Sequence, residues 1–212
     1  MSTLLSTLPT RPSLRMTEPE FVAWSKDDVS AEWVDGEVVL KMPVDENHDE
    51  LQALIRSVVE LFVKRRSLGK VRGPEFTTRL TLPGKTVRRD PDVMFIANAT
   101  LPKLRPTLLD GPPDVAFEVV APETEFRDFH QKYTEYEDAG VREYWIVSPS
   151  SKQVYLFVRN DDTRKFERRE ADAGARYLSS VIEGLWFKSA DLFAAERADA
   201  VTLLKAIDPT LI

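Results

Sequence analysis

Arg89-Asp90-Pro91-Asp92-Val93-Met94-Phe95-Ile96 and Val115-Ala116-Phe117-Glu118-Val119-Val120 are the segments on which the reading of this chain turns. Each holds a short apolar run of the kind expected for strands buried on both faces of a sheet. Each also carries a carboxylate where an apolar residue would be easier to bury. Asp92 opens the first run and Glu118 stands inside the second. An ionised carboxylate in such a setting is costly unless a cation or hydrogen bonds hold it. Two carboxylates on neighbouring strand ends suit Mg²⁺ or Mn²⁺, which take hard oxygen ligands and keep several waters. The bland alternative for Glu118 is a buried side chain satisfied by backbone amides or an arginine. Asp90, directly before Pro91, reads more easily as turn chemistry than as a ligand.

Working outward, Thr17-Glu18-Pro19-Glu20 has the form of a helix start, with Thr17 as cap and Glu20 three residues on. Phe21, Val22 and Trp24 are expected to face inward. Asp35-Gly36 between Glu32-Trp33-Val34 and Glu37-Val38-Val39-Leu40 is a hairpin signal. From Asp49 to about Arg66 the apolar residues recur at helical spacing, and Gly69 follows. Phe76 to Leu82 alternates as a strand does, and a Pro-rich excursion runs from Leu101 to Pro113. A helix is expected from about Glu125 to Ala139, with Phe126, Phe129, Tyr133 and Tyr136 on one face and Gly140 as its stop. Tyr144 to Val147 and Val154 to Val158 read as further strands. The alternation of helices and strands points to one α/β or α+β domain on a mixed β-sheet. Its expected extent is 16–195, with a loose arm at 1–15 and a helical C-terminal tail at 196–212.

Composition narrows the chemistry. The chain has 212 residues, 42% hydrophobic and 30% charged, which is ordinary globular composition. It has no cysteine, so disulfides, thiolate metal sites and cysteine nucleophiles are excluded. No apolar run approaches the roughly 20 residues needed to cross a bilayer, and the first fifteen residues lack a basic start before an apolar stretch, so a signal peptide and membrane attachment are not expected. A cytoplasmic location is. The two histidines and the absence of a Gly-x-Ser-x-Gly turn disfavour triad hydrolases, and eight scattered glycines form no phosphate-cradling loop. The net charge of −6 argues against a general polyanion-coating protein, yet nine basic residues and one acidic residue lie between Lys64 and Arg89. Arg65, Arg66, Arg72, Arg88 and Arg89 are therefore candidate nucleic-acid contacts, against the plainer reading of a solvated basic face.

The motifs also resemble a known family. Arg89-Asp90-Pro91-Asp92-Val93, then Pro113-Asp114-Val115-Ala116-Phe117-Glu118-Val119-Val120-Ala121-Pro122, then Asp128-x-x-x-Lys132-x-x-x-Tyr136, then Ala139-Gly140-Val141-Arg142-Glu143-Tyr144-Trp145-Ile146-Val147 occur in that order. The series is similar to the Uma-type restriction endonucleases of the PD-(D/E)XK nuclease superfamily. The resemblance implies a sheet core flanked by helices, a divalent metal held by Asp92 and Glu118, and a lysine near the attacking water. It departs from the superfamily at Val120, where the lysine of Glu-x-Lys should stand. The family pattern resembles a version with that lysine moved to the next helix, here Lys132, with Asp128 one turn earlier to steady it. Ala121 stands where a serine is usual. Glu32 and His48 match family positions and are expected to line the site, although a strand-edge charge and a helix-cap neighbour are equally plain readings. Tyr136 is expected in the core rather than in the chemistry.

The resulting expectation is metal-assisted hydrolysis of nucleic-acid phosphodiesters, DNA above all, with Asp92, Glu118 and the Val119 carbonyl on Mg²⁺ or Mn²⁺. A homodimer is expected, because cutting both strands of a duplex is simplest with two-fold symmetry. The rival reading, from a different class, is a nuclease-like fold kept as a DNA-binding or protein-interaction module without turnover.

Overall fold

The computed structural model of the chain describes residues 14–25 and 29–211. Most of the expected arm lies outside the described residues. Its end and the first residue after it, Leu14 to Met16, pair with the first hairpin through Met16 N to Gly36 O at 2.9 Å and Val38 N to Leu14 O at 2.8 Å. Helix α1 (Glu18–Trp24) starts at the expected capping box and buries Phe21, whereas Val22 is turned to solvent. Strands β1 (Ala31–Val34) and β2 (Glu37–Leu40) form the hairpin, and both turn residues take positive φ, Asp35 at 48° and Gly36 at 90°. That backbone is the one a tight hairpin turn requires.

Helix α2 (Glu46–Arg65) begins where Asp45 accepts a hydrogen bond from His48 N at 2.8 Å. Its inward stripe of Leu51, Ile55, Val58, Val59 and Phe62 is fully buried. Next come β3 (Gly69–Arg72), β4 (Thr77–Leu82), β5 (Lys85–Arg89), β6 (Val93–Ala97), β7 (Leu108–Asp110) and β8 (Val115–Val119). A π-helical turn, Arg127–Lys132, runs straight into α3 (Tyr133–Ala139), which Gly140 ends at φ 90°. Strands β9 (Glu143–Ser148), β10 (Gln153–Arg159) and β11 (Phe166–Arg169) follow, then the short pair β12 (Tyr177–Leu178) and β13 (Trp186–Phe187). Helices α4 (Ser189–Leu192) and α5 (Ala200–Ile207) close the chain. The helical C-terminus is part of the packed body rather than a tail, because Leu203 and Leu204 enter the same core as α2.

The strands form two main sheets, ordered β2-β1-β5-β4-β7 and β11-β10-β9-β8-β6-β3. Pairing is antiparallel except for β4 with β7 and β8 with β9. The parallel β8–β9 pair needs a crossover, and the π turn with α3 supplies it. The fold is thus a mixed α/β architecture of sheets flanked by helices, as expected. Strand β8 shows why the site lies where it does. Val115, Phe117 and Val119 face the α2 core, while Ala116 and Val120 face the cluster containing Tyr136 and Tyr144. By the two-residue period of a strand, Glu118 shares the second face and looks toward the crossover helix.

Candidate active site

The register Val93↔Phe117 between β6 and β8 carries Asp92 up beside Glu118 and Val119 at the end of the sheet. Asp92 Oδ2 accepts a hydrogen bond from Val119 N at 2.7 Å, and Oδ1 accepts one from Gln52 Nε2 at 3.3 Å. His48 Nε2 stands 3.6 Å from the same carboxylate, and its buried Nδ1 has no hydrogen-bond partner among the described residues. The N-terminal turns of α2 therefore form one wall of the site. From the other side Lys132 Nζ meets Glu118 Oε1 at 2.8 Å, Asp128 Oδ1 at 3.3 Å and Glu32 Oε1 at 3.7 Å. Tyr136 donates its hydroxyl to Glu118 Oε1 at 2.8 Å. These groups lie at the base of an open cleft of about 680 Å³, whose lining includes Lys41, Thr124 and Arg127.

The π turn makes this convergence possible. With more residues per turn than an α-helix, it rotates Asp128 and Lys132 inward and carries Phe126 out to 68% exposure. The expected single apolar face from Phe126 to Tyr136 therefore breaks at its first member. Phe129 and Tyr133 still pack against Tyr155 and Phe157.

Charge in the site is unbalanced in a definite way. Burial raises the Asp92 carboxyl to about 6, with the nearby Asp128 charge acting in the same direction. Burial likewise raises Glu118 to about 8, and Asp92 adds to it while the Lys132 ammonium opposes it. Burial alone would raise Glu32 too, but Lys132 and Arg89 hold it well below the usual carboxylate range. Burial would lower Lys132, yet Glu118, Glu32 and Asp128 keep it firmly protonated. One ammonium thus serves three carboxylates, while Asp92 has only neutral donors within hydrogen-bonding distance among the described residues.

No group of three or more His, Asp and Glu side chains among the described residues forms a ready-made metal cage. The fit to Mg²⁺ or Mn²⁺ is nonetheless good. Asp92 and Glu118 are hard oxygen donors whose charged forms burial disfavours and a cation would favour, and such ions keep several waters.

A linkage consequence follows for the metal-free protein. Asp92 and Glu118 hold protons more tightly folded than at their ordinary values of 3.8 and 4.5. Their stabilisation is complete below those values and is lost as pH rises through about 6 and about 8. Urea titrations in EDTA are expected to show stability falling from about pH 5 to about pH 8.5, by a few kcal/mol. A flat profile would remove the case for two strained carboxylates.

Among the sequence candidates, the fold brings Asp92, Glu118, Val119, Lys132, Asp128, Glu32 and His48 together. The basic stretch it disperses. Arg89 is 1% exposed and bonded to Glu32 and Glu135, and Arg88 is held by Glu18 at 3.2 Å, so neither reaches a phosphate. Arg66 is paired with Asp208. Arg65 is exposed at the far end of α2, about 25 Å along the helix from His48 at 1.5 Å per residue. Arg72 lies opposite Met94, two residues from Asp92 in register, with its guanidinium on Val71 O at 2.8 Å and over the Phe76 ring. Gln52, Arg127 and the Tyr136 hydroxyl were not singled out by sequence. For Tyr136 a signal existed, since it lies one helical turn beyond Lys132.

The profile of the Uma2 family, described as "Putative restriction endonuclease", matches residues 18–192. The chain belongs to the Uma2 family. Its fold is also that of a crystal structure described as "a putative nuclease" from Anabaena variabilis ATCC 29413. The two superpose with a TM-score of 0.69 at 18% sequence identity, covering 84% of this chain and 98% of the other. None of the curated proteins matches the chain. No described helix of this Uma2 chain is long and apolar enough to cross a membrane.

Proposed function

We propose that the chain is a Mg²⁺- or Mn²⁺-dependent endonuclease that hydrolyses phosphodiester bonds of DNA. One observation carries this reading: a buried lysine ammonium 2.8 Å from Glu118, with Asp92 beside them, at the base of an open cleft. Asp92, Glu118 and the Val119 carbonyl would hold the ion, which supplies a water of lowered pKa and shields charge on the phosphoryl oxygen. His48 and Gln52 hold the Asp92 carboxylate in place. Lys132, held protonated by its carboxylates, would orient the attacking water and offset the charge that develops. Plasmid and single-stranded substrates incubated with Mg²⁺, Mn²⁺ or EDTA test the proposal. Nicking or linearisation only with a metal is expected, and intact substrate under every condition overturns it.

Arg127 is the cation best placed to meet the phosphate. It lines the cleft, and its buried Nε, 3.8 Å from Asp128 Oδ1, has no hydrogen-bond partner among the described residues. Arg127→Ala is expected to weaken DNA binding and to reduce the salt slope by about one phosphate contact, ~0.9 in log K against log salt for duplex DNA. Arg72→Glu should do the same from the sheet end. Charge reversal at Arg65 and Arg66 should matter only for a duplex long enough to reach the far end of α2. Fluorescence anisotropy across a salt series measures each slope, and parent-like slopes in Arg127→Ala and Arg72→Glu would sink this footprint.

A second reading has its own support. Val120 occupies the Glu-x-Lys position, and Lys132 is paired directly with a proposed ligand, Glu118. If the protein binds DNA with metal yet never cuts, it is a binding module on a nuclease fold. For duplex cleavage we infer a two-fold dimer, which light scattering tests; a monomer mass favours nicking or single-strand activity.

A further inference from the structure

The cleft accounts for Lys132 and its carboxylates but leaves unexplained a second layer of buried charge behind them. Arg89 Nε donates to Glu135 Oε2 at 2.7 Å, and Arg89 Nη1 donates to Glu32 Oε2 at 2.8 Å. The other oxygen of Glu32 accepts from Asp90 N at 3.1 Å and faces Lys132 Nζ at 3.7 Å. Lys132 and Glu135 lie three residues apart at the junction of the π turn and α3, so a chain of side chains, Lys132 to Glu32 to Arg89 to Glu135, leaves that junction and returns to it. All are nearly inaccessible, with side-chain exposures of 1% for Arg89 and Glu32, 4% for Lys132 and 5% for Glu135. Lys85 closes the outer end, 2.9 Å from Glu135.

We propose that Arg89 is a positioning residue for Lys132, acting through Glu32 and Glu135 and touching no reacting atom. A buried chain of alternating charges is a poor source of stability, because desolvation offsets most of the attraction between its members. What it supplies is geometry. Lysine has a flexible four-carbon stem, whereas the arginine fork is planar and directs two donors at once. Here those donors reach one carboxylate on β1 and one on α3, tying the crossover helix to the first sheet at the level of Lys132. Glu32 also receives the Asp90 amide, so the same clamp steadies the turn that carries Asp92. The inference rests on the nuclease reading for its catalytic consequence: with Glu118 engaged as a ligand, Asp128 at 3.3 Å and Glu32 at 3.7 Å remain as partners of the ammonium, and Glu32 is the one that Arg89 fixes. Because Arg89 is sealed from solvent, it performs this task instead of the phosphate contact suggested by the basic run in the sequence.

Arg89→Lys and Glu135→Gln test the clamp. Both keep the positive charge of the layer, and neither leaves a fork bridging two carboxylates as charged partners. In the metal-free protein, reductive methylation followed by mass spectrometry reads the accessibility of Lys132 without any need for catalysis. The expected result is Lys132 protected in the parent and several-fold faster to label in the variants, under conditions where circular dichroism shows both folded. With Mn²⁺ and DNA, kcat is expected to fall by about 10–100-fold, the usual cost of losing a partner behind the ligand layer, with KM little changed. If Arg89→Lys does not fold, Glu135→Gln carries the test alone. Folded variants with parent-like Lys132 labelling and parent-like kcat would overturn the proposal and leave Arg89 a purely structural charge. Faster labelling in a protein whose parent never cleaves DNA would uphold the clamp while removing the nuclease reading.

Discussion

Lys132→Ala is expected to cut turnover by about 10²–10⁴-fold, the range for losing a proton-transfer or charge-stabilising group. Removing the ammonium also leaves Glu118, Asp128 and Glu32 facing one another in a buried site. Deleting one member of a buried ion pair costs ~3–5 kcal/mol in general. Lys132 is 4% exposed and shared by three carboxylates, so its removal bears on folding as well as on turnover. Turnover therefore has to be compared at a temperature where both proteins are folded, with unfolding curves alongside. Lys132→Ala combined with Val120→Lys is expected to recover part of the activity, since residue 120 lies on the same face of β8 as Glu118. Cleavage at the parent rate by Lys132→Ala alone would refute the lysine's role and leave the attacking water to the metal.

Asp92→Ala is expected to weaken Mn²⁺ binding by more than about 100-fold, beyond the 10–100-fold typical of residues behind the ligands. Asp92 is poised for an ion by three fixed neighbours, Val119 N, Gln52 and His48, and has no cationic hydrogen-bond partner among the described residues. Calorimetric titration of parent and variant measures the loss, and equal affinities would end the assignment. The metal-free proteins should order oppositely. Asp92→Asn removes a negative charge that raises Glu118 while keeping an oxygen for the Val119 amide, so at pH 8 in EDTA it should unfold at a higher urea concentration than the parent. Adding Mn²⁺ should reverse that order, since an ion that binds only the folded parent stabilises it by mass action.

Both effects depend on residues found by different routes. Asp92 and Glu118 were visible in sequence because a carboxylate inside an apolar strand pattern has few harmless explanations. The hairpin at Asp35-Gly36, the capping box at Thr17 and the stripe of α2 were visible for a similar reason: each is written in residues close together in the chain. Lys132 was visible only through resemblance to the family, and its side chain contacts Glu118 and Asp128. Phe126 was misread because a helical wheel assumes 3.6 residues per turn, and the π turn does not obey it.

Local pattern by itself determined the strands that carry the two carboxylates, the helices that flank them and the mixed α/β class, because period and turn chemistry act over a few residues. Tertiary structure decided the rest. The run of basic residues from Lys64 to Arg89 looks uniform in sequence, yet pairing between β1 and β5 sends Arg89 inward to Glu32 and Glu135 while Arg65 stays in solvent. Tyr136 has the same dual character, apolar in its ring and polar at its hydroxyl, and only the facing Glu118 determines which property matters. A charge's role depends on what desolvates it and what pairs with it. For Arg89 those partners are 57 and 46 residues away along the chain, and no local reading of the sequence contains them.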